Sequence, residues 1–521
     1  MSLFCSEQRK LKTMAKQNIS QNKKSLLTLF TSMFAIVLSI GTTFFLSPYI
    51  VETLGEEANG FTQLAGNFVN YASLITLALN SMAGRFITMH YYKGEIDKSN
   101  QFYSSIMIAN VAIILLLIVP ASILLLNLES IVNIENANIF HVKLLFAFVF
   151  GNFFIAQINS VLGITTYVSN QQYIINGINL IRMILNALCL IFFFTIFTPK
   201  IYYVSLVAIL LSVVAIPIYF IVSRKTLPDL KLSFRCFNIR TVWKMFSAGI
   251  WNVVTQCGNI LMTGVDLLLA NLMISPTAMG VLSVSKIMPN CITQIAGDSS
   301  SSFSSNLTIA YAGGDSNNII KSLRFSMKFS SILVSIPLMV LCVYGKSFYS
   351  LWQPTLDAQT LSTLSFLACI QFIPLAGPQV LNNVFTSTNK LKFNSLSILF
   401  SGVINIAAVV LLVKFTNLGL FGITAASATI FILRNLVITI PYAAKILNLR
   451  WYTFYKDVLT SCLCCLINGI FCGLFQFLIS PTSWFKMIIS VFCACIFSLI
   501  SLFIVLLTKE ERQNLIRRLK R

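Results

Sequence analysis

Residues 275–315, SPTAMGVLSVSKIMPNCITQIAGDSSSSFSSNLTIAYAGGD, set Lys286 and Asp298 inside an otherwise membrane-like run, and the fold follows from how that run is read. A charge near a bilayer centre costs about 3 kcal/mol or more, so such residues face a bundle interior or a wet cavity. Pro289 and Gly297 weaken the helix between them. Backbone groups freed at membrane depth must be satisfied by protein or by water lining a cavity. The same pattern occurs about 220 residues earlier, where GRFITMHYYKGEID aligns with SSNLTIAYAGGDSN. In that register Gly60 falls on Gly280, Thr88 on Thr308, Tyr91 on Tyr311, Gly94 on Gly314 and Glu95 on Asp315. Both copies end a long apolar segment and open a polar loop that sets Gly beside an acid. They are read as equivalent elements of two halves.

Outward from this repeat, the chain of 521 residues is 56% hydrophobic and 10% charged, too apolar for a soluble globular protein. The expected fold is an all-α polytopic membrane protein, because runs of about twenty apolar residues recur along nearly the whole length. Spans are expected near 26–50, 61–92, 100–127, 139–165, 171–197, 201–223, 247–273, 276–310, 320–345, 358–385, 392–414, 417–441, 457–479 and 484–508, about fourteen in all. These divide into a basic N-terminal lead (1–25), an N-lobe (26–223), a connector (224–246), a C-lobe (247–441), an extra helix pair (457–508) and a basic tail (509–521).

The net charge of +21 does not point to nucleic acid, because Lys and Arg are scattered over short loops and the two tails. They gather on alternate loops, as the positive-inside rule requires, which places both termini in the cytoplasm. The lead is read as cytoplasmic and not as a signal peptide: it is long, and the apolar run after it is of spanning length. The connector stretch 239–246 has Arg240 and Lys244 among Val242, Trp243, Met245 and Phe246, a pattern suited to a short helix at the inner interface. Anionic inner-leaflet lipid is the expected partner of the tail.

There is no Walker-type loop, so ATP hydrolysis is not the expected energy source. The thirteen cysteines lie mostly in apolar segments, and Cys462, Cys464 and Cys465 lack the spacing of a zinc site; neither metal nor cofactor is expected. Among the outer-loop acids, VETLGEE (51–57) reads as a solvated loop. Six charged residues fall inside spans: Arg85, Arg182, Asp266, Lys286, Asp298 and Arg434. At 1.5 Å per residue, Arg182 and Lys286 both sit about 15 Å from their entry faces, near mid-membrane. Asp266 can reach Lys286 from the adjacent helix, so pairing between them and a cavity role both stay open. Arg85 and Arg434 lie nearer inner ends, where long side chains snorkel. Arg182 has no acid at its depth among its sequence neighbours, which makes it the first candidate for a substrate contact. Asn67, Asn70, Asn80, Asn152, Gln157 and Asn159 add polar groups to spans two and four, for the cavity or for helix-to-helix hydrogen bonds.

Two six-helix lobes, a basic connector, Tyr91-Tyr92-Lys93-Gly94-Glu95, Tyr311-Ala312-Gly313-Gly314-Asp315 and Phe348-Tyr349-Ser350-Leu351-Trp352 together resemble the multidrug/oligosaccharidyl-lipid/polysaccharide exporter superfamily. Within it, the chain looks most like Wzx-type polysaccharide flippases. The resemblance implies a V-shaped bundle around a central cavity and a substrate of undecaprenyl-pyrophosphate-linked oligosaccharide, flipped outward across a bacterial inner membrane. It also implies membrane lipids and a polysaccharide polymerase or assembly machinery as partners. Two other functions are weighed beside it: a cation-coupled small-molecule exporter of the same fold, and a membrane-bound glycan polymerase or ligase. The polymerase would be expected to need a large outer loop, and no outer loop here is that long.

Overall fold

Apolar runs in lipid must satisfy their backbone groups internally, and helices do so. In the computed structural model every regular element is helical and no strand occurs among the described residues. The structure describes residues 37–302, 316–388 and 390–506, together with Leu27, Thr28, Thr31, Phe34, Ala35 and Leu307. The lead (1–25), the tail (509–521) and the second copy of the repeated loop, residues 311–315, lie outside the described residues. The chain forms two compact units, residues 1–253 and 254–521.

The first unit contains α1 (Val37–Leu54), α2 (Glu56–Tyr92), α3 (Ile96–Leu126), α4 (Ile139–Val168), α5 (Gln172–Ile196), α6 (Tyr203–Thr226) and the start of α7 (Ile239–Asn259). Its core gathers Ile87, Phe102, Tyr103, Ile106, Val161 and Met245. The connector is strapped to α3: the backbone N–H groups of Lys231, Ser233 and Asn238 donate to Asn100, Ser104 and Ser105 at 2.8, 3.0 and 3.0 Å. Residues 239–246 are not a separate interfacial helix but the first two turns of α7. Met245 is fully buried there, Trp243 is exposed, and the Lys244 ammonium lies 5.4 Å from the Phe86 ring centre. The close packing of α7 on α2 requires Gly249, where an added Cβ would strike the carbonyl oxygen of Ala78. VETLGEE is not wholly a solvated loop either. Glu57 is buried and accepts backbone N–H bonds from Glu135 and Asn136 at 3.0 and 2.9 Å, which compensate its desolvation and tie α2 to the next loop.

The second unit continues through a π-helical turn (Ile260–Gly264), α8 (Asp266–Met273), α9 (Pro276–Ser285), α10 (Ile287–Ser302), α11 (Ser316–Trp352) and α12 (Ala358–Cys369). Then follow α13 (Leu391–Phe415), α14 (Leu420–Arg434), a second π-helical turn (Asn435–Thr439), α15 (Ile440–Ile446), α16 (Tyr455–Ile479) and α17 (Trp484–Leu506). Helices α16 and α17 are pinned to α11 by small polar groups, Ser461 to Ser331 at 2.8 Å, Asn468 to Ser335 at 2.7 Å and Ser490 to Tyr344 at 2.7 Å. Such bonds let helices associate where lipid removes the hydrophobic drive. The FYSLW segment ends α11 as a packing knot: Tyr349 and Trp352 are buried, and the Tyr349 hydroxyl lies 2.6 Å from Ser365.

Among the described residues, eleven helices are long and apolar enough to cross a membrane, and the pair α7–α8, bent by 41°, makes twelve. The two remaining expected spans, 61–92 and 276–310, are helical where described. Helix α2 is too polar to qualify on apolarity, and the second stretch is divided at Lys286 between α9 and α10. These two are also the segments that carry the internal repeat. A polar transmembrane helix needs protein or water beside it, so their composition speaks for functional surfaces in both halves.

Candidate functional site

Helix α5 carries Gln172, Asn176, Asn179, Arg182 and Asn186 at intervals of three and four residues, which lays one polar stripe along an otherwise apolar helix. In the first unit this stripe borders a cavity of about 610 Å³, shared with α2, α4 and α6 and lined by Arg85, Arg182, Asn80, Asn159, Asn179 and Tyr219 among others. The Arg182 guanidinium donates to Ser212 Oγ at 3.3 Å; that hydroxyl donates to Asn152 Oδ1 at 2.5 Å, and the Ser212 carbonyl accepts from Asn159 at 3.2 Å. The Tyr219 hydroxyl donates to Asn179 at 3.1 Å, and Asn80 donates to Gln157 at 2.8 Å. No carboxylate lines the cavity, and neither arginine has an ion-pair partner among the described residues. The walls thus offer two fixed positive charges and a set of amides and hydroxyls that both donate and accept.

The other four charged residues belong to the second unit. Lys286 and Asp266 form an ion pair, with the Asp266 side chain 1% and the Lys286 side chain 14% exposed. The π-helical turn before α8 supplies the setting. An added residue per turn breaks the regular ladder and frees carbonyls. Thr263 O accepts from Lys286 Nζ at 3.4 Å, and Met262 O from Asn405 at 2.9 Å. Asn405 also donates to Ser427 at 3.1 Å, whose hydroxyl donates to Asp266 Oδ1 at 3.4 Å. Arg434 does not snorkel. It is 7% exposed, and its guanidinium donates to Asn394 Oδ1 at 2.5 Å and to Ser397 and Asn435 at 3.4 and 3.5 Å. Asp298 stands exposed on α10.

The structure therefore brings together Arg85 and Arg182 with Asn80 and Asn159, and separately Asp266 with Lys286. Residue-by-residue inspection of the sequence missed Asn176, Asn179, Ser212 and Tyr219. The helical spacing of the amides along α5 was the signal that reveals the first two. Of the repeated loop, the described copy turns at Gly94, whose φ of +78° suits glycine, and closes when the His90 ring donates to Glu95 at 2.6 Å.

Solved structures of the same fold define the class. The chain aligns with an inward-facing multidrug resistance MATE family transporter of the MOP superfamily at a TM-score of 0.64 and 13% identity, over 81% of this chain and 98% of that one. It aligns equally well with the lipid II flippase MurJ in an inward closed conformation, at a TM-score of 0.64 and 15% identity over 91% and 97% of the two chains. The protein is a multi-pass membrane protein with the fold of MOP-superfamily flippases and transporters. In sequence it is similar to EpsK of Bacillus subtilis (strain 168), an uncharacterized membrane protein, with 28% identity over 494 residues that span 94% of this chain and 97% of that protein. No protein-family model matches the chain.

Proposed function

We propose that this protein is a Wzx-type flippase that moves undecaprenyl-pyrophosphate-linked oligosaccharide from the cytoplasmic to the outer leaflet of a bacterial cytoplasmic membrane, with both termini in the cytoplasm. The observation that carries the reading is the first-unit cavity, where Arg85 and Arg182 stand without carboxylates among amide side chains. A pyrophosphate entering membrane depth needs compensating cations, and guanidinium groups match phosphate oxygens in a bidentate fork. Sugars need paired donors and acceptors, which Asn80, Asn159 and Asn179 offer. The prenyl chain needs no protein polar group and can stay in lipid.

The exporter reading draws support from the equal likeness to a MATE transporter. Against organic cations as cargo stands the sign of the cavity, since two arginines without an acid repel them. Cells lacking the protein are expected to accumulate lipid-linked repeat units, read by mass spectrometry, with unaltered tolerance to toxic cations. Unchanged lipid-linked pools together with drug sensitivity would overturn the flippase reading in favour of export.

A further inference from the structure

A second pocket lies in the C-terminal unit. Phe393 in the first turn of α13, the π-helical turn, α15 and the loop after it border an open groove of about 710 Å³. Phe393, Tyr442 and Trp451 form aromatic walls, Val437 an aliphatic one, and Lys445 supplies the lining's single charge; no carboxylate lines it.

Each wall has a local cause. The π-helical turn pushes Val437 outward, 67% exposed, and the carbonyl of Leu436 accepts from the Tyr455 hydroxyl at 2.6 Å, which fixes the widened turn. Phe393 and Tyr442 pack with ring centres 4.6 Å apart. After α15 the chain reverses at Asn448, with φ of +56°, so that the N–H groups of Asn448 and Leu449 cap the carbonyls of Lys445 and Ala444 at 3.1 and 2.9 Å. Those carbonyls would otherwise present negative charge beside the ammonium. The returning loop stands Trp451 edge-on against Tyr455, ring centres 5.8 Å apart, and leaves it 64% exposed.

The pocket sits where two candidate spans, Leu391–Phe415 and Gly419–Ile446, reach the same basic end, marked by Lys390, Lys392, Lys445 and Arg450. Amphipathic aromatic rings collect at such a boundary, and basic ends face the leaflet that carries anionic lipid. We propose that this pocket holds one anionic phospholipid. Its phosphate sits on the Lys445 ammonium, its glycerol backbone lies against Tyr442 and Trp451, and an acyl chain runs along Phe393 and Val437. A zwitterionic lipid would set its own ammonium beside Lys445 and is disfavoured by charge. One lysine near an anionic surface corresponds to a preference of about fivefold.

The test uses the full-length protein in phosphatidylcholine nanodiscs, doped with brominated phosphatidylglycerol or brominated phosphatidylcholine. The quenching lost in Trp451→Phe isolates the Trp451 signal from the other tryptophans. Half-quenching is expected at about fivefold lower mole fraction of the anionic lipid. Lys445→Gln should bring the two curves together, and Lys414→Gln, at the opposite end of α13, should leave them apart. Native mass spectrometry gives a second readout: one phosphatidylglycerol retained by the wild type and lost from Lys445→Gln. Coincident curves in the wild type, a preference that survives Lys445→Gln, or relief of quenching by inorganic phosphate would each overturn the proposal.

Discussion

The two units hold intramembrane cations in opposite ways. In the first, Arg85 and Arg182 border a cavity that no carboxylate lines, and Arg182 donates to the neutral Ser212 hydroxyl. In the second, Lys286 is neutralised by Asp266, and Arg434 is buried among Asn394, Ser397 and Asn435. A cation that lines a cavity beside amides keeps its charge available to an entering anion, whereas one paired with a carboxylate, or buried among amides as Arg434 is, contributes mainly to its own fold. Polar residues inside a membrane protein are therefore not equivalent evidence for a substrate site. What separates them is whether the cation faces open space without an opposite charge already beside it.

The largest expected effect tests the locked side. Removing one member of a buried pair leaves the other uncompensated, at a cost of about 3–5 kcal/mol. Lys286→Ala and Asp266→Ala should each lower the detergent melting temperature and membrane abundance sharply, and the double variant should recover both. Recovery of abundance without transport in the double variant would move Lys286 to the substrate side of the comparison. Next comes Arg182→Ala. The side chain borders the cavity and has no acidic partner among the described residues, so abundance should hold while translocation falls about ten- to a hundredfold, the worth of a charge-assisted bond of about 1.5–3 kcal/mol. Arg182→Lys should retain part of the activity, since it keeps the charge and loses the fork. Full activity of Arg182→Ala at matched abundance would falsify the cationic-cavity mechanism.

Much of this contrast was legible in the sequence, for reasons particular residues show. Hydropathy located the apolar spans, because a membrane leaves helix as the one solution for a lone run. It also set Arg182 apart as lacking an acid, and it allowed the Asp266–Lys286 pair on depth alone. Arg434 was expected to snorkel and is buried instead, because snorkelling and burial differ only in whether Asn394 and Ser397 on another helix face it. Glu57 was misread for the same kind of reason, its partners being backbone N–H groups of residues 135 and 136, which sequence pattern does not display. The π-helical turns were equally hidden, since Ile260–Gly264 and Asn435–Thr439 have the composition of ordinary helix.

A smaller effect sharpens the role of the first π-helical turn. Asn405 bonds the carbonyls of Leu261 and Met262 and also Ser427, which in turn supports Asp266. Asn405→Ala should cost about 1–3 kcal/mol by leaving buried acceptors unpaired. Because Ser427 and Asp266 share that network, combining it with Ser427→Ala should cost less than the sum of the single losses. Strict additivity in thermal melts would mean that the turn and the ion pair are independent.

The smallest effect concerns another ion-paired carboxylate, outside the membrane-spanning segments, at the turn between α2 and α3. Glu95 accepts from the His90 ring at 2.6 Å and lies 3.2 Å from the Lys98 ammonium, and these contacts, His90 first, hold its carboxyl below the usual glutamate value. A depressed folded value means that the contribution is present above the ordinary glutamate pKa and is lost as pH falls through the folded one. Because Glu95 is open to solvent, salt also screens its partners, unlike the enclosed Asp266. Glu95→Gln should therefore melt slightly below the wild type at neutral pH and low salt. The gap should close on acidification below the glutamate range, and it should narrow in about 1 M salt, where the screening length falls to about 3 Å. Over the same salt range, the penalty of Asp266→Ala should barely move. If both penalties fell together with salt, Asp266 and Lys286 would have to be in contact with bulk solvent, and the distinction between locked and available charge would no longer separate the two halves of the chain.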